Sequence, residues 1–160
     1  MQFANLISLN RIECNVESTS KKRTLEHLSH LICNGISDVD QNEIFNSLIS
    51  REKLGSTGLG KGIAIPHGRL KDSDKTIAAF LQLKTGIDFD APDGEPVDLL
   101  CALLVPPNCS DEHLEILALL SELFSQTEMR EKLRNTDDPE VIHSILTEFT
   151  SSENRDLNND

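Results

Sequence analysis

A nine-residue stretch past the middle of the chain constrains the fold more than any other feature. Residues Val97–Val105, with the sequence VDLLCALLV, are almost continuously apolar and are followed at once by Pro106 and Pro107. A run of this length that ends in prolines is typical of a strand covered on both faces, and less so of a helix. The chain must therefore supply a layer for each face of a sheet.

Helical and extended patterns alternate along the rest of the chain. Ser20, Asp38 or Asp40, and Ser110 are placed to cap the first three helices, and Pro139 suits the start of the last one. Interleaved helices and strands predict an α/β fold, a single-domain sandwich with a mixed β-sheet flanked by helices. The predicted helices cover about 20–34, 38–54, 110–124, 127–133 and 139–149, and the predicted strands 11–16, 63–65, 76–83 and 97–105.

Length and composition limit the class of protein. A chain of 160 residues and 17.8 kDa predicts one domain, over residues 1–150, and the polar segment 151–160 is predicted to be a disordered tail. The formal charge of −12 argues against nucleic acid as the main partner. No apolar run approaches the ~20 residues of a membrane helix, and the N-terminus lacks the features of a signal peptide. We expect a soluble cytoplasmic protein without membrane insertion.

The four cysteines, Cys14, Cys33, Cys101 and Cys109, show no CxxC spacing. In a cytoplasmic protein this pattern predicts reduced thiols rather than disulfides or a zinc site.

Charge is distributed unevenly along the chain. Residues 51–75 carry six bases and three acids, whereas residues 85–129 carry ten acids and no Lys or Arg. A locally basic segment in an acidic protein is suited to holding an anion, although ordinary scatter of surface charge explains the pattern equally well.

Five of the eight glycines lie in residues 55–68, which read GSTGLGKGIAIPHG. Gly55–Lys61 matches seven of the eight positions of a phosphate-binding P-loop, but Gly62 stands where Ser or Thr must ligate magnesium. A P-loop also follows a strand and opens a helix, whereas this segment follows a predicted helix and leads into a predicted strand. The sequence therefore disfavours a nucleotide-binding loop at this position.

His67 ends the glycine-rich segment. It follows the short apolar run Ile63-Ala64-Ile65 and Pro66, and Gly68 is predicted to leave room beside it. A neutral imidazole held at a strand end is a competent nucleophile that forms phosphoramidates. Residue type alone slightly favours a structural or incidental role for His67.

Two blocks of sequence carry a family resemblance. Residues 50–53, 55–60 and 62–68 strongly resemble the phosphorylation-site segment of enzyme IIA proteins of the bacterial phosphoenolpyruvate-dependent phosphotransferase system. The likeness is to the fructose/mannitol superfamily, especially its nitrogen-regulatory branch. Residues 96–106, followed by His113-Leu114, also resemble this family, and the likeness covers about residues 5–150.

The resemblance implies roles for individual residues. His67 matches the family's phosphorylated histidine, His113 matches a second histidine beside it, and Arg51 matches an arginine before the glycine loop. Arg51 and His113 are then expected to bind the phosphoryl group, with Ser56 and Thr57 as further hydrogen-bond donors. Read locally, a guanidinium suits phosphate oxygens, and a residue in a first helical turn lies where backbone N–H groups favour anions.

The other histidines carry no such expectation. His27 and His30 lie three residues apart on one predicted helix without further ligands nearby, and His143 is also isolated. We therefore predict no metal site and no cofactor. The basic cluster at residues 21–23 stands in a first helical turn, where the helix dipole disfavours cations, and is interpreted as solvated surface charge or, less readily, as a contact site.

The resemblance implies a phosphocarrier and regulatory protein that accepts a phosphoryl group on Nε2 of His67 from an HPr-like carrier. It also implies potassium-transport or sensor-kinase proteins as regulatory targets. The alternative is a IIA component of a fructose- or mannitol-type sugar transport system, which passes phosphate to a IIB domain.

Overall fold

The computed structural model of the chain describes residues 2–36, 39–71, 73–108 and 110–149. Its helices are α1 Lys21–Ile32, α2 Gln41–Lys53, α3 Ser110–Ser125, α4 Thr127–Arg134 and α5 Pro139–Glu148. Its strands are β1 Ile12–Val16, β2 Gly58–Gly60, β3 Ile63–Ala64, β4 His67–Arg69, β5 Ile77–Ile87 and β6 Val97–Val105, and two short 3₁₀ turns lie at Phe3–Asn5 and Leu9–Arg11.

The strands form one mixed sheet in the order β1-β5-β6-β3-β2, with β4 also paired to β6. β6 runs antiparallel to β5 and parallel to both β3 and β4. The predicted mixed α/β fold is thereby confirmed, and the apolar run Val97–Val105 is the central strand that its composition predicted.

Alternate side chains of β6 supply the two cores of the domain. Leu99, Cys101 and Leu103 pack in one buried cluster with α3 and α5, whereas Leu100 and Leu104 pack in the other with α1 and α2. Each of these residues is fully buried. Burial of a leucine side chain contributes roughly 1.5–3 kcal/mol, so this one strand anchors both helical layers.

β3 and β4 behave as one extended segment that Ile65 and Pro66 interrupt. Ile63 and Ala64 pair with Leu99 and Leu100 of β6, and His67 pairs with Leu103, so the register on β6 is the same before and after the break. The Pro66 carbonyl accepts a hydrogen bond from the Leu103 N–H at 2.9 Å, which keeps the proline in the ladder although it has no N–H of its own.

The glycine-rich segment forms a hairpin between β2 and β3. Gly60 pairs with Ile63, and the two loop residues, Lys61 and Gly62, both have positive φ, as a type I′ turn requires. Asp93 accepts a hydrogen bond from the Lys61 N–H, and an N–H of Arg134 donates to the Lys61 carbonyl. No helix follows this loop, so the structure agrees with the rejection of a P-loop.

The observed elements depart from the sequence prediction in a few places. β5 continues to Ile87 because Ile87 pairs with Val97, so its exposed residues 84 and 85 are held in the strand. β2 was expected to be loop. The N-terminal segment before β1 carried no helical prediction, yet its residues Phe3, Leu6 and Ile7 are buried in the core that contains α3.

Gly68 was predicted to leave room beside His67, but its structural role is a close contact between α2 and β4. A Cβ at this position would lie 2.2 Å from Ser47 Oγ and 3.0 Å from the Ser47 carbonyl carbon. The glycine therefore allows α2 to approach β4 closely, rather than leaving room beside His67.

Several predictions concern residues outside the described part of the chain. Asp38, Cys109, the Ser110 side chain and residues 151–160 belong to this group. Asp40 caps α2 by accepting from the Asn42 N–H, and Ser20 caps α1. The three described cysteines are free thiols, and no helix of the described residues is long and apolar enough to cross a bilayer.

Two glycine substitutions test how the hairpin is held. Gly62→Ala and Gly94→Ala both place a Cβ at positive φ, but only the Cβ at Gly62 would collide, with Arg134 Nη2 at 2.3 Å and Asp98 Oδ1 at 2.8 Å. In both variants, backbone strain is expected to lower the free energy of unfolding by about 1 kcal/mol. Gly62→Ala should lose at least a further ~1 kcal/mol, because it displaces the Arg134–Asp98 ion pair. Urea denaturation measures the free energy of unfolding of each variant. Equal decreases for Gly62→Ala and Gly94→Ala would contradict the packing described around Gly62.

Candidate functional site

The topology brings His67 and His113 to the same face of the sheet. His67 pairs with Leu103, whose side chain belongs to the core that contains α3. α3 begins five residues after β6 ends and crosses that face, which places His113 in its first turn beside β4. The two imidazole rings have centroids 5.3 Å apart and are tilted by 51°. The structure thus brings together two residues that are 46 positions apart in the sequence.

The hydrogen bond made by His67 fixes its tautomer. Its Nδ1 lies 2.9 Å from the Ile65 carbonyl oxygen, which only accepts hydrogen bonds, so Nδ1 carries the proton. The lone pair of the neutral ring then lies on Nε2. The ring is half-buried, so Nε2 is the nitrogen available for chemistry.

His113 is buried, and its Nδ1 has no hydrogen-bond partner among the described residues. A buried polar atom without a partner costs free energy, and such an atom at a site often marks a missing ligand. Its position in the first turn of a 16-residue helix adds unpaired backbone N–H groups, which favour an anion.

Electrostatics keep both rings neutral. Burial lowers the pKa of His67, the Arg51 charge lowers it further, and the Ile65 hydrogen bond and the Glu52 charge act in the opposite direction. Burial also lowers the pKa of His113, with smaller contributions from His67 and Arg69. Because both rings are neutral at pH 7, the Nε2 lone pair of His67 stays free and the two imidazoles do not repel each other.

Arg51 lies in the last turn of α2, and its Nη1 donates to the Gly55 carbonyl at 2.9 Å. Its remaining guanidinium N–H groups are uncommitted within the described part of the chain. The charge of Arg51 acts on His67, so the predicted role in phosphate binding stays a prediction that the placement favours.

Ser56 and Thr57 use their hydroxyl protons elsewhere. The Ser56 hydroxyl donates to the Phe89 carbonyl at 3.0 Å, and the Thr57 hydroxyl donates to Glu52 Oε2 at 2.6 Å. Both residues are placed in the turn that joins α2 to β2. Their predicted role as phosphate donors stays a prediction, and their hydroxyl hydrogen bonds point to a structural one.

Sequence reasoning gave no individual role to Arg69 or Glu52. Arg69 stands two residues after His67 in β4, and residues at this spacing in a strand share a face, so the spacing was a usable signal. Arg69 donates to the Pro107 carbonyl, and its charge reaches His113. Nothing in the sequence distinguished Glu52 from an ordinary acid at a helix end.

Lys21 was interpreted with its neighbours as solvated charge or, less readily, as a contact site, and its side chain is mostly buried rather than solvated. Its Nζ lies 3.1 Å from Glu52 Oε1 and 4.6 Å from the centroid of the Phe89 ring, and only 20% of its side chain is exposed. Lys22 and Arg23 are exposed, as a solvated cluster predicts.

The remaining histidines make separate contacts. His27 Nε2 lies 2.6 Å from Glu13 Oε2, and His30 Nδ1 lies 3.3 Å from Gln41 Oε1. Over the described residues, no group of three or more His, Cys, Asp or Glu side chains is arranged to hold a metal ion.

The site offers a neutral imidazole nucleophile beside an anion-favouring helix start and two arginine charges. Such an arrangement suits transfer of a phosphoryl group to nitrogen.

Comparisons with known proteins agree with this chemistry. The family model described as "Phosphoenolpyruvate-dependent sugar phosphotransferase system, EIIA 2" matches residues 5–149. A nitrogen regulatory protein of Pseudomonas aeruginosa is 39% identical over 153 residues, which cover 96% of this chain and 99% of that protein. A fructose-specific EIIA component of Haloferax volcanii is 32% identical over 146 residues, 91% of this chain and 95% of that protein.

Among solved structures, the nitrogen regulatory protein IIA-Ntr of Neisseria meningitidis superimposes with a TM-score of 0.86 and 42% identity. The match covers 91% of this chain and 99% of the other. The chain belongs to the EIIA 2 family of the phosphoenolpyruvate-dependent phosphotransferase system and is a phosphotransfer component of the nitrogen-regulatory type.

Proposed function

We propose that the chain accepts a phosphoryl group on Nε2 of His67 from the phosphohistidine of a small HPr-like carrier, and that its phosphorylation state regulates target proteins. The observation that carries this proposal is the hydrogen bond from His67 Nδ1 to the Ile65 carbonyl, which leaves Nε2 with the lone pair. The nitrogen-regulatory relatives support the regulatory role.

The transfer needs no proton movement at the attacking nitrogen. The Nε2 lone pair attacks phosphorus, the donor's phosphorus–nitrogen bond breaks, and the donor imidazole keeps that electron pair. Positive charge then develops on the His67 ring, and the Ile65 carbonyl stabilises it by accepting from Nδ1–H. The rigid β4–β6 pairing holds the ring in place for in-line attack.

His113 and the two arginines stabilise the transferred group in this proposal. His113 contributes its imidazole and the start of α3, while the positive charge of Arg51 acts on His67 and that of Arg69 acts on His113. Catalysis therefore rests on positioning and on charge already in place, with no metal or cofactor among the proposed participants.

Phosphorylation attaches a group of roughly two negative charges to a ring that gains one positive charge, so the net change is about −1 at a surface site of a chain whose net charge is already −12. A regulatory partner that docks over His67 then meets a different local field in the two states. We propose that this happens in the cytoplasm, with potassium-transport or sensor-kinase proteins as the class of target.

The second candidate is a IIA component that passes phosphate to a IIB domain of a sugar transporter. The Haloferax volcanii relative favours it, at lower identity than the nitrogen-regulatory relatives. Neighbouring genes discriminate the two functions: sugar-permease genes favour transport, and genes for a sigma factor or an HPr-like protein favour regulation.

His67→Ala tests the phosphoacceptor. Incubation with phosphoenolpyruvate, an enzyme I-type kinase and an HPr-type carrier should give one acid-labile phosphoryl group on the unaltered chain and none on His67→Ala. His143→Ala, on α5, is the control and should be phosphorylated normally. Mass spectrometry reads the result, and an acid-labile adduct that persists in His67→Ala would overturn the assignment.

His113→Ala tests the stabilising role of the second ring. The variant should still be phosphorylated, with a rate lowered on the order of 10²-fold, because a preorganised group beside the transferred phosphoryl is lost. Rapid-quench measurement with phosphorylated carrier gives the rate. His30→Ala, which removes an exposed histidine, is the matched control, and equal rates for the two variants would contradict the role.

The pH dependence follows from the lowered pKa of His67. Protonation occupies Nε2, so the acceptor rate should remain high through the ordinary histidine range and fall only at lower pH. Arg51→Gln removes a charge that lowers this pKa, so the NMR titration midpoint of His67 should move to higher pH. Arg23→Gln, an exposed arginine on α1, should leave it unchanged. An unshifted midpoint in Arg51→Gln would refute the electrostatic description.

A further inference from the structure

Glu52 is a buried carboxylate that the proposed transfer does not use. It stands next to last in α2, and only 1% of its side chain is exposed. Oε1 accepts from the Thr57 N–H at 2.8 Å, and Oε2 accepts from the Thr57 hydroxyl at 2.6 Å. Burying a charge is costly unless every contact compensates it, so this arrangement calls for an explanation.

Lys21 supplies the compensating charge from the first turn of α1. Its Nζ lies 3.1 Å from Glu52 Oε1 and 3.5 Å from Asp90 Oδ2, and it sits over the Phe89 ring. A cation in this first turn opposes the α1 helix dipole, which is the misfit visible in the sequence. The pair with Glu52 accounts for that misfit at Lys21.

A continuous path of contacts leads from this ion pair to the phosphoacceptor. Glu52 holds Thr57 by both its N–H and its hydroxyl. The Thr57 carbonyl accepts from the Ile65 N–H at 3.1 Å. The Ile65 carbonyl in turn accepts from His67 Nδ1 at 2.9 Å. Each step fixes the residue that makes the next one.

We propose that Glu52, with Lys21 as its counterion, is a positioning residue that fixes the ring orientation and the Nδ1–H tautomer of His67 through Thr57 and Ile65. This inference rests on the proposed function in that His67 is taken as the phosphoacceptor. Glu52 does not contact the transferred group, because its carboxylate is buried and fully engaged.

A carboxylate suits this position better than a neutral side chain. Three donors converge on it, namely the Thr57 N–H, the Thr57 hydroxyl and the Lys21 ammonium. A glutamine would present an amide NH₂ to this set and leave the Lys21 charge without its buried partner. Thr57 would then no longer be held in place. Because the Thr57 carbonyl accepts from the Ile65 N–H, the Ile65 carbonyl that binds His67 would also lose its fixed position.

The test is the tautomer of His67 in the unphosphorylated protein, read from long-range ¹H–¹⁵N NMR correlations of the imidazole. The unaltered chain should show protonated Nδ1 only, and Glu52→Gln should gain a population with protonated Nε2. Glu43→Gln is the matched control, because it removes one exposed carboxylate from the same helix. Lys21→Met should act like Glu52→Gln, whereas Lys22→Met, at its exposed neighbour, should not.

Phosphorylation kinetics give the second readout. With phosphorylated carrier as donor, Glu52→Gln should lower kcat on the order of 10-fold, because the ring is misoriented, and leave KM unchanged. Glu52→Gln behaving like Glu43→Gln in both tautomer and kcat would overturn the inference. Should Glu52→Gln fail to fold, Thr57→Val, which removes only the hydroxyl contact, decides by the same two readouts.

The two proposals fail in different ways. An unaltered chain that takes no phosphoryl group on His67 refutes the proposed function, while the tautomer measurement still decides the role of Glu52. Normal phosphorylation of His67 with no tautomer change in Glu52→Gln refutes only the inference.

Discussion

The site depends on one interruption in the sheet. β3 and β4 follow the same register along β6, and Ile65 and Pro66 lie between them. Pro66 keeps its carbonyl in the ladder through Leu103, and the carbonyl of Ile65 is available to the imidazole two residues later. A regular strand would use its carbonyls for pairing. The break therefore leaves a backbone carbonyl free to orient the imidazole of His67.

The rest of the fold serves this position. The apolar strand β6 contributes side chains to both cores, so the pairing register along it is strongly specified. A slip of β4 by one residue along β6 would turn His67 to the opposite face of the sheet. Gly68 lets α2 pack closely against β4, and the charge of Arg51 in the last turn of α2 acts on the His67 ring. The local positive charges allow an acidic chain to present a site for a phosphoryl group, and burial keeps the ring neutral until it reacts.

Much of this arrangement was predictable from the sequence. The strand Val97–Val105, the caps Ser20 and Asp40 and the departure from a P-loop all follow from local patterns, which the structure reproduces. His67 was a candidate nucleophile from its glycine-rich segment alone, but its pairing with His113 came only from the family resemblance, because periodicity gives no reason to pair residues so far apart. The missing parts are those fixed by tertiary contacts. Glu52 and Lys21 come from different helices, and nothing local to either predicts a buried ion pair.

The most direct test of the central claim is the nitrogen that carries the phosphoryl group. In ¹⁵N-labelled protein phosphorylated by its carrier, we predict a one-bond ³¹P–¹⁵N coupling at Nε2 of His67, with the proton still on Nδ1 and hydrogen-bonded to Ile65. A coupling at Nδ1 of His67, or at another histidine, would contradict the account.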